Sequence, residues 1–259
     1  EDETYTGSMQ PSFAREIRFE NVSFAYKDED WILKDVSFTI PKGKKIALVG
    51  ASGSGKTTTV SLLCGFYHVQ KGRILIDGIP IDQLDFRAWR RKIGLILQDI
   101  FLFPGSILEN IRVYNDNVSE EEVQKAVSVV QLDDFIRVLP EGLNSELAER
   151  GQNISQGEKQ LISFARALAF NSEIIIMDEA TASIDPQTEA KIQRTMKKVF
   201  AGKTAVVVAH RLTSVLDADE ILYFSGGRIL ARGKHQELMQ LSPEYRKLVE
   251  LQLVGDDHE

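Results

Sequence analysis

A glycine-bracketed run, Gly50-Ala51-Ser52-Gly53-Ser54-Gly55-Lys56-Thr57, holds the residue types that grip a polyphosphate. Glycines let the backbone curl until its N–H groups converge on anionic oxygens, and a helix starting there adds the positive end of its dipole. The Lys56 ammonium can then bridge β- and γ-phosphate oxygens, and the Thr57 hydroxyl can ligate Mg2+. The spacing is G-x-x-x-x-G-K-[ST], and Thr58 extends the nucleotide-binding set. Taken alone, the loop specifies a nucleoside triphosphate and leaves kinases, GTPases and motor ATPases open.

A second group of interest is the acid pair Asp178-Glu179, which ends the apolar run Ile174-Ile175-Ile176-Met177. Acids at the C-terminal end of a buried parallel strand lie where α/β sheets place their ligands. There Asp178 would hold the Mg2+ of the nucleotide through water, and Glu179 could accept a proton from the attacking water. An Asp-Glu pair also suits the start of a helix. Next to the glycine loop, the pair completes the two halves of one Mg-nucleotide site. The chain has no Asn-Lys-x-Asp guanine-reading segment, which disfavours a GTPase.

These groups need elements to hold them. The apolar run 45–49 reads as a buried strand feeding the glycine loop, and 57–64 as the helix after it. Ile17, Phe19, Val22 and Phe24, separated mostly by polar residues, suit half-buried strands, as does the alternation over 32–40 before Pro41-Lys42-Gly43. Further strands are expected at 72–77, 93–97, 173–177, 204–208 and 220–224. Helices are expected over 186–200 and, from the start signal Ser119-Glu120-Glu121-Glu122, through Val123, Ala126, Val127 and Val130, then 132–139 and 158–170. Strands alternating with helices imply an α/β fold with a mainly parallel sheet covered on both faces.

The 259 residues are 43% hydrophobic and 27% charged, with 18 Gly and 7 Pro. That composition excludes collagen-like, disulfide-scaffold and wholly disordered chains. A net charge of −7 argues against a general binder of polyanions. Cys64, the single cysteine, cannot form an intrachain disulfide, which fits a reducing compartment. No run approaches the roughly 20 apolar residues that span a bilayer. The acidic, polar residues 1–10 read as a linker rather than a secretory signal.

From about Ile17 to Leu253 the chain resembles the ATP-binding cassette family, specifically the nucleotide-binding domain of its exporters. The most diagnostic piece is Ile154-Ser155-Gln156-Gly157-Glu158-Lys159-Gln160, which is similar to the family signature Leu-Ser-Gly-Gly-Gln. It departs at Ile154, Gln156 and Glu158. The resemblance implies that Ser155, Gln156, Gly157 and Glu158 serve a nucleotide held by a second domain, paired head to tail. Ser155 with Glu158 three residues on is also a capping box.

The same resemblance assigns the remaining roles. Tyr26 would stack on adenine, and Gln98 would reach Mg2+ and the attacking water. Ser183 and Asp185 would cross the dimer interface, and His210 would contact γ-phosphate and orient Glu179. Ala148-Glu149-Arg150-Gly151 would touch transmembrane coupling helices, with Phe101, Leu102, Phe103, Pro104 and Ile107 as an apolar floor.

The implied fold is a P-loop NTPase core with an N-terminal antiparallel β-subdomain and an α-helical subdomain over about 106–170. Residues 1–16 would be a linker after a missing transmembrane domain, 17–253 the nucleotide-binding domain, and 254–259 a tail. The implied cofactors are ATP and Mg2+. The implied partners are the transmembrane domain of the same transporter and a second nucleotide-binding domain, like or unlike, at the cytoplasmic face of a membrane, with no nucleic acid. The competing readings are a soluble cassette ATPase acting on nucleic acid or ribosomes, and a regulatory half that binds ATP with little turnover.

Overall fold

A computed structural model describes residues 7–27, 30–97, 99–148, 151–178, 186–209 and 212–256. In chain order the elements are β1 (Glu16–Ala25), β2 (Trp31–Pro41), β3 (Lys45–Val49), α1 (Lys56–Leu63), β4 (Lys71–Ile76), β5 (Ile79–Pro80), α2 (Phe86–Arg91), β6 (Ile93–Ile96) and β7 (Gly105–Ser106). There follow α3 (Ile107–Arg112), α4 (Glu120–Val129), α5 (Asp133–Val138), β8 (Glu146–Leu147), α6 (Gln156–Ala169), β9 (Ile174–Asp178) and α7 (Pro186–Phe200). The chain closes with β10 (Thr204–Val208), α8 (Leu212–Val215), β11 (Glu220–Ser225), β12 (Arg228–Gly233), α9 (His235–Leu241) and α10 (Pro243–Asp256), which reaches into the stretch expected as a tail.

The chain divides into two compact units. One takes the described residues up to Arg90, those of 176–178, and those from Thr204 on. It contains an antiparallel sheet ordered β2-β1-β4-β5. Alternation decides its inner face: Ile17, Phe19, Val22 and Phe24 of β1 are all buried. Phe19 pairs with Phe38 of β2 and Ile74 of β4, and the two phenylalanine rings stack at 4.4 Å.

Within the same unit, a second sheet runs β12-β11-β3-β10-β9. β3 is parallel to β10 and to β11, with Leu48 beside Val208 and Leu222. β3, β9 and β10 are apolar apart from one end residue each, Lys45, Asp178 and Thr204, because both of their faces are covered. β12 was not expected from the sequence. It is antiparallel, joined to β11 by Gly226-Gly227, both at positive φ, as a two-residue hairpin turn requires. As an edge strand it has no fully buried residue, so it carries no apolar run to announce it.

Residues 9–16, expected as part of a linker, are docked on this unit. Phe13 is buried, edge-on to Trp89, and the Asp77 carboxylate accepts the N–H groups of Ala14, Arg15 and Glu16 at 2.6, 2.8 and 2.9 Å.

The other unit takes 91–175 and the described residues of 186–203. β6 lies beside the first residues of β9, where Ile174 N donates to Lys92 O and Lys92 pairs with Glu173. The helices α3, α4 and α6 each open on a serine capping box: Ser106 with Glu109, Ser119 with Glu122, and Ser155 with Glu158. α6 buries Leu161, Ile162, Phe164 and Ala165 against α3, α4, β6 and α7. α7 buries Ile192, Met196 and Val199, at helical spacing. Among the described residues no helix is long and apolar enough to cross a membrane.

Candidate nucleotide site

The glycine loop connects β3 to α1, as its spacing predicts, and Gly55 immediately precedes the helix. Gly50 sits at φ +145°, and a Cβ there would lie 2.2 Å from the Phe224 carbonyl oxygen of β11. Only glycine fits a strand end that passes this close to a neighbouring backbone.

Lys56 folds back over its own loop. Its Nζ donates to the carbonyls of Gly50 and Ala51 at 2.7 and 2.9 Å and approaches Ser54 Oγ at 3.4 Å. Burial pushes its ammonium below the usual lysine value, and the Asp178 carboxylate partly restores it. A cation and an anion, both buried, thus interact at this site.

Thr57, from the first turn of α1, donates its hydroxyl to Asp178 Oδ2 at 3.1 Å. Asp178 is the last residue of β9 and is buried. Thr57 and Asp178, read from separate segments of the sequence, therefore meet. A hydroxyl and a carboxylate are hard oxygen donors that fit Mg2+. Among the described residues no group of three His, Cys, Asp or Glu side chains could cage a metal. A Mg2+ here would take its other ligands from phosphate oxygens and water, as that ion usually does.

Tyr26 follows β1 and is 49% exposed, with its hydroxyl 3.1 Å from Thr58 Oγ1. Phe24 and Tyr67 both meet its ring nearly perpendicularly, at 4.9 and 5.0 Å. Tyr67 was not singled out from the sequence. The signal available was an aromatic pair, Phe66-Tyr67, placed just beyond the phosphate helix.

At the start of α6, Ser155 and Gln156 are exposed while Gly157 is buried. The Ser155 N–H and hydroxyl both donate to Glu158 Oε2, at 2.7 and 2.8 Å, and Glu158 N donates back to Ser155 Oγ at 3.2 Å. A Cβ on Gly157 would lie 2.3 Å from Thr188 Cγ2 of α7, so glycine is required here for packing.

The apolar floor is only partly exposed. Phe101 and Phe103 are 52% and 36% exposed and pack edge-on, with the exposed Tyr114 beside Phe103. Leu102 and Ile107 are fully buried; Ile107 is the first residue of α3, after its cap Ser106. The loop is held by Asn110, which bonds the Phe103 backbone at 2.8 and 2.9 Å, and by Arg166, which donates to Asn110 O and Phe101 O. Gln98, Glu149, Arg150, Glu179, Ser183, Asp185 and His210 lie outside the described residues.

A family model described as "ABC transporter" matches residues 33–182, more than half of the chain. The chain belongs to the ABC transporter family. Domains of this family are the ATPases of their transporters, and the α/β fold described above is theirs. The ABC domain is 49% identical to an uncharacterized ABC transporter ATP-binding protein, YknV, of Bacillus subtilis (strain 168), over 92% of this chain and 39% of that protein. It is 45% identical to YheH of the same organism, a probable multidrug resistance ABC transporter ATP-binding/permease protein, over 91% of this chain and 35% of that protein. Among solved structures it is similar to a bacterial Atm1-family ABC exporter with ATP bound, at 37% identity and a TM-score of 0.87, covering 95% of this chain and 43% of that one. The chain thus spans less than half the length of these relatives.

Proposed function

We propose that this ABC domain is the motor of an exporter: it binds Mg-ATP, hydrolyses it, and drives movement of a substrate by a membrane domain joined to it. The observation that carries the reading is the 3.1 Å contact of Thr57 with Asp178, beside the buried Lys56 ammonium. It supports a single triphosphate site built from a loop and a strand end. The likeness to an ATP-bound exporter over 95% of the chain supports the transport role.

In this reading the loop amides of 50–57 and Lys56 hold the triphosphate, and Tyr26 stacks on adenine. Thr57, Asp178 and Gln98 hold Mg2+, which when bound neutralises charge developing on the phosphates. Glu179 accepts the proton of the attacking water, and His210 holds Glu179 in position. Ser155, Gln156, Gly157 and Glu158 face the nucleotide of a second such domain, with Ser183 and Asp185 at the same interface. Phe101 and Phe103 give the membrane domain an apolar place to dock, at the cytoplasmic face.

The test is Glu179→Gln. Loss of a general base costs about 10²–10⁴-fold in rate. Turnover should fall by that amount while ATP binding is retained. Near-normal hydrolysis by the variant would remove Glu179 from the role.

A further inference from the structure

Two residues beyond the end of the phosphate helix, Tyr67 and Gln70, contact the Tyr26 ring and the backbone just before it. α1 begins with Lys56, Thr57 and Thr58 and is ended by a tight turn, in which Gly65 N donates to Leu62 O and Phe66 N to Ser61 O. That turn brings the chain back to the end of β1. There the Gln70 side chain makes a two-point contact with one peptide unit. Its Oε1 accepts from Ala25 N at 2.6 Å and its Nε2 donates to Ala25 O at 2.8 Å. β1 and β4 are paired up to Ser23 and Lys71, so the Gln70 amide acts as one more rung of that ladder. It fixes the backbone immediately before Tyr26.

Tyr67 fixes the ring. It lies 5.0 Å from the Tyr26 ring at 83° and 5.6 Å from Phe24, which is itself perpendicular to Tyr26. Edge-to-face arrangements of this kind are the favoured geometry of aromatic pairs. Tyr26 and Tyr67 nevertheless remain 49% and 43% exposed, so the cluster is not closed as a core would be. The third tie is the Tyr26 hydroxyl, 3.1 Å from Thr58 Oγ1 in the first turn of α1.

We propose that Tyr67 and Gln70 are positioning residues for the nucleobase, setting the distance and tilt of the Tyr26 ring relative to the phosphate loop. This rests on the reading of Tyr26 as the adenine platform. One continuous stretch, from Lys56 to Gln70, carries both the groups that grip phosphate and the clamp on the base platform. Base and phosphates are thereby gauged against a single element. A ligand without a base bypasses the clamp altogether, so the clamp bears on base affinity alone.

The experiment compares Mg-ATP with Mg-tripolyphosphate binding to the intact protein and to the variants Tyr26→Ala, Tyr67→Leu, Tyr67→Phe and Gln70→Ala. Tyr26→Ala should weaken ATP at least fivefold and leave tripolyphosphate within about twofold. Tyr67→Leu and Gln70→Ala should each weaken ATP about 3- to 10-fold, again sparing tripolyphosphate, and Tyr67→Phe should restore affinity because the ring is retained. Equal weakening of both ligands by Tyr67→Leu and Gln70→Ala would mean a structural role only and would overturn the proposal. So would unchanged ATP affinity in those two variants alongside a selective loss in Tyr26→Ala. A Tyr26→Ala protein that loses no selectivity would instead overturn the platform reading beneath it.

Discussion

The hydroxyl of Thr57 donates to the carboxylate of Asp178 across 3.1 Å, although 121 residues separate them in the chain. One sits on the first turn of a helix and the other on the last residue of a buried strand. Each is ordinary where it stands. Together they form a pair of hard oxygen donors at the mouth of the phosphate loop, beside a lysine whose charge is held at a cost by burial.

Replacing Asp178 with Asn keeps the shape and a hydrogen bond to Thr57 but removes the negative charge. Groups that support a bound metal typically contribute 10- to 100-fold in affinity or activity. The half-saturating Mg2+ concentration of ATP hydrolysis should rise by that factor in Asp178→Asn. A titration of activity with Mg2+ checks it, and an unchanged midpoint would place the metal elsewhere.

At the start of α6, Glu158 engages both donors of Ser155. Glutamine also completes a capping box, so Glu158→Gln should change unfolding free energy by no more than about 0.5 kcal/mol, whereas Ser155→Ala should cost about 1 kcal/mol. A neutral acceptor holds the serine hydroxyl less strongly than a carboxylate. Glu158→Gln should therefore lower the ATP concentration that gives half-maximal hydrolysis. Denaturant melts and ATP titrations of the two variants test both statements.

Gly157 faces Thr188 so closely that a methyl group would meet Thr188 Cγ2 at 2.3 Å. Threonine is stiff at χ1 and cannot easily swing away. Gly157→Ala should destabilise the protein by about 1–3 kcal/mol through overpacking. Adding Thr188→Ser removes the opposing methyl and should recover most of the loss, giving a coupling energy in a double-mutant cycle.

Asp77 is half-buried, which by itself would raise its pKa, but three backbone N–H groups outweigh that and hold the carboxyl below the usual range. A depressed native pKa contributes stability that is fully present above the unfolded value of about 3.9. That stability is lost as pH falls through the native value. Asp77→Asn should cost about 1–2 kcal/mol at pH 7, discounted for the carboxylate's partial exposure. The gap between wild type and variant should stay constant from pH 7 to about 5 and close below about 4. A gap independent of pH would mean that charge is not what binds residues 14–16.

The chemistry around 50–58 was legible in the sequence because it is local. Glycine spacing, a lysine and two threonines lie on one turn, and an apolar run before them and a helix after them place the turn without knowledge of the rest. β3, β9 and β10 were legible for a related reason: strands buried on both faces read as near-continuous apolar runs, here broken only at one end residue each. The capping boxes of α4 and α6 lie within four consecutive residues and could be read the same way.

What tertiary structure alone decided are matters of distance between remote segments. β12 joins the sheet as an edge, where solvent covers one side and no apolar pattern is needed. Residues 9–16 dock because Asp77, sixty positions on, presents an acceptor to three consecutive donors. Tyr67 gains its place from a helix-ending turn that brings it against Tyr26. Local sequence specifies which groups are available and in what backbone conformation. Which of them touch depends on how buried faces pack, and packing is a property of the whole chain.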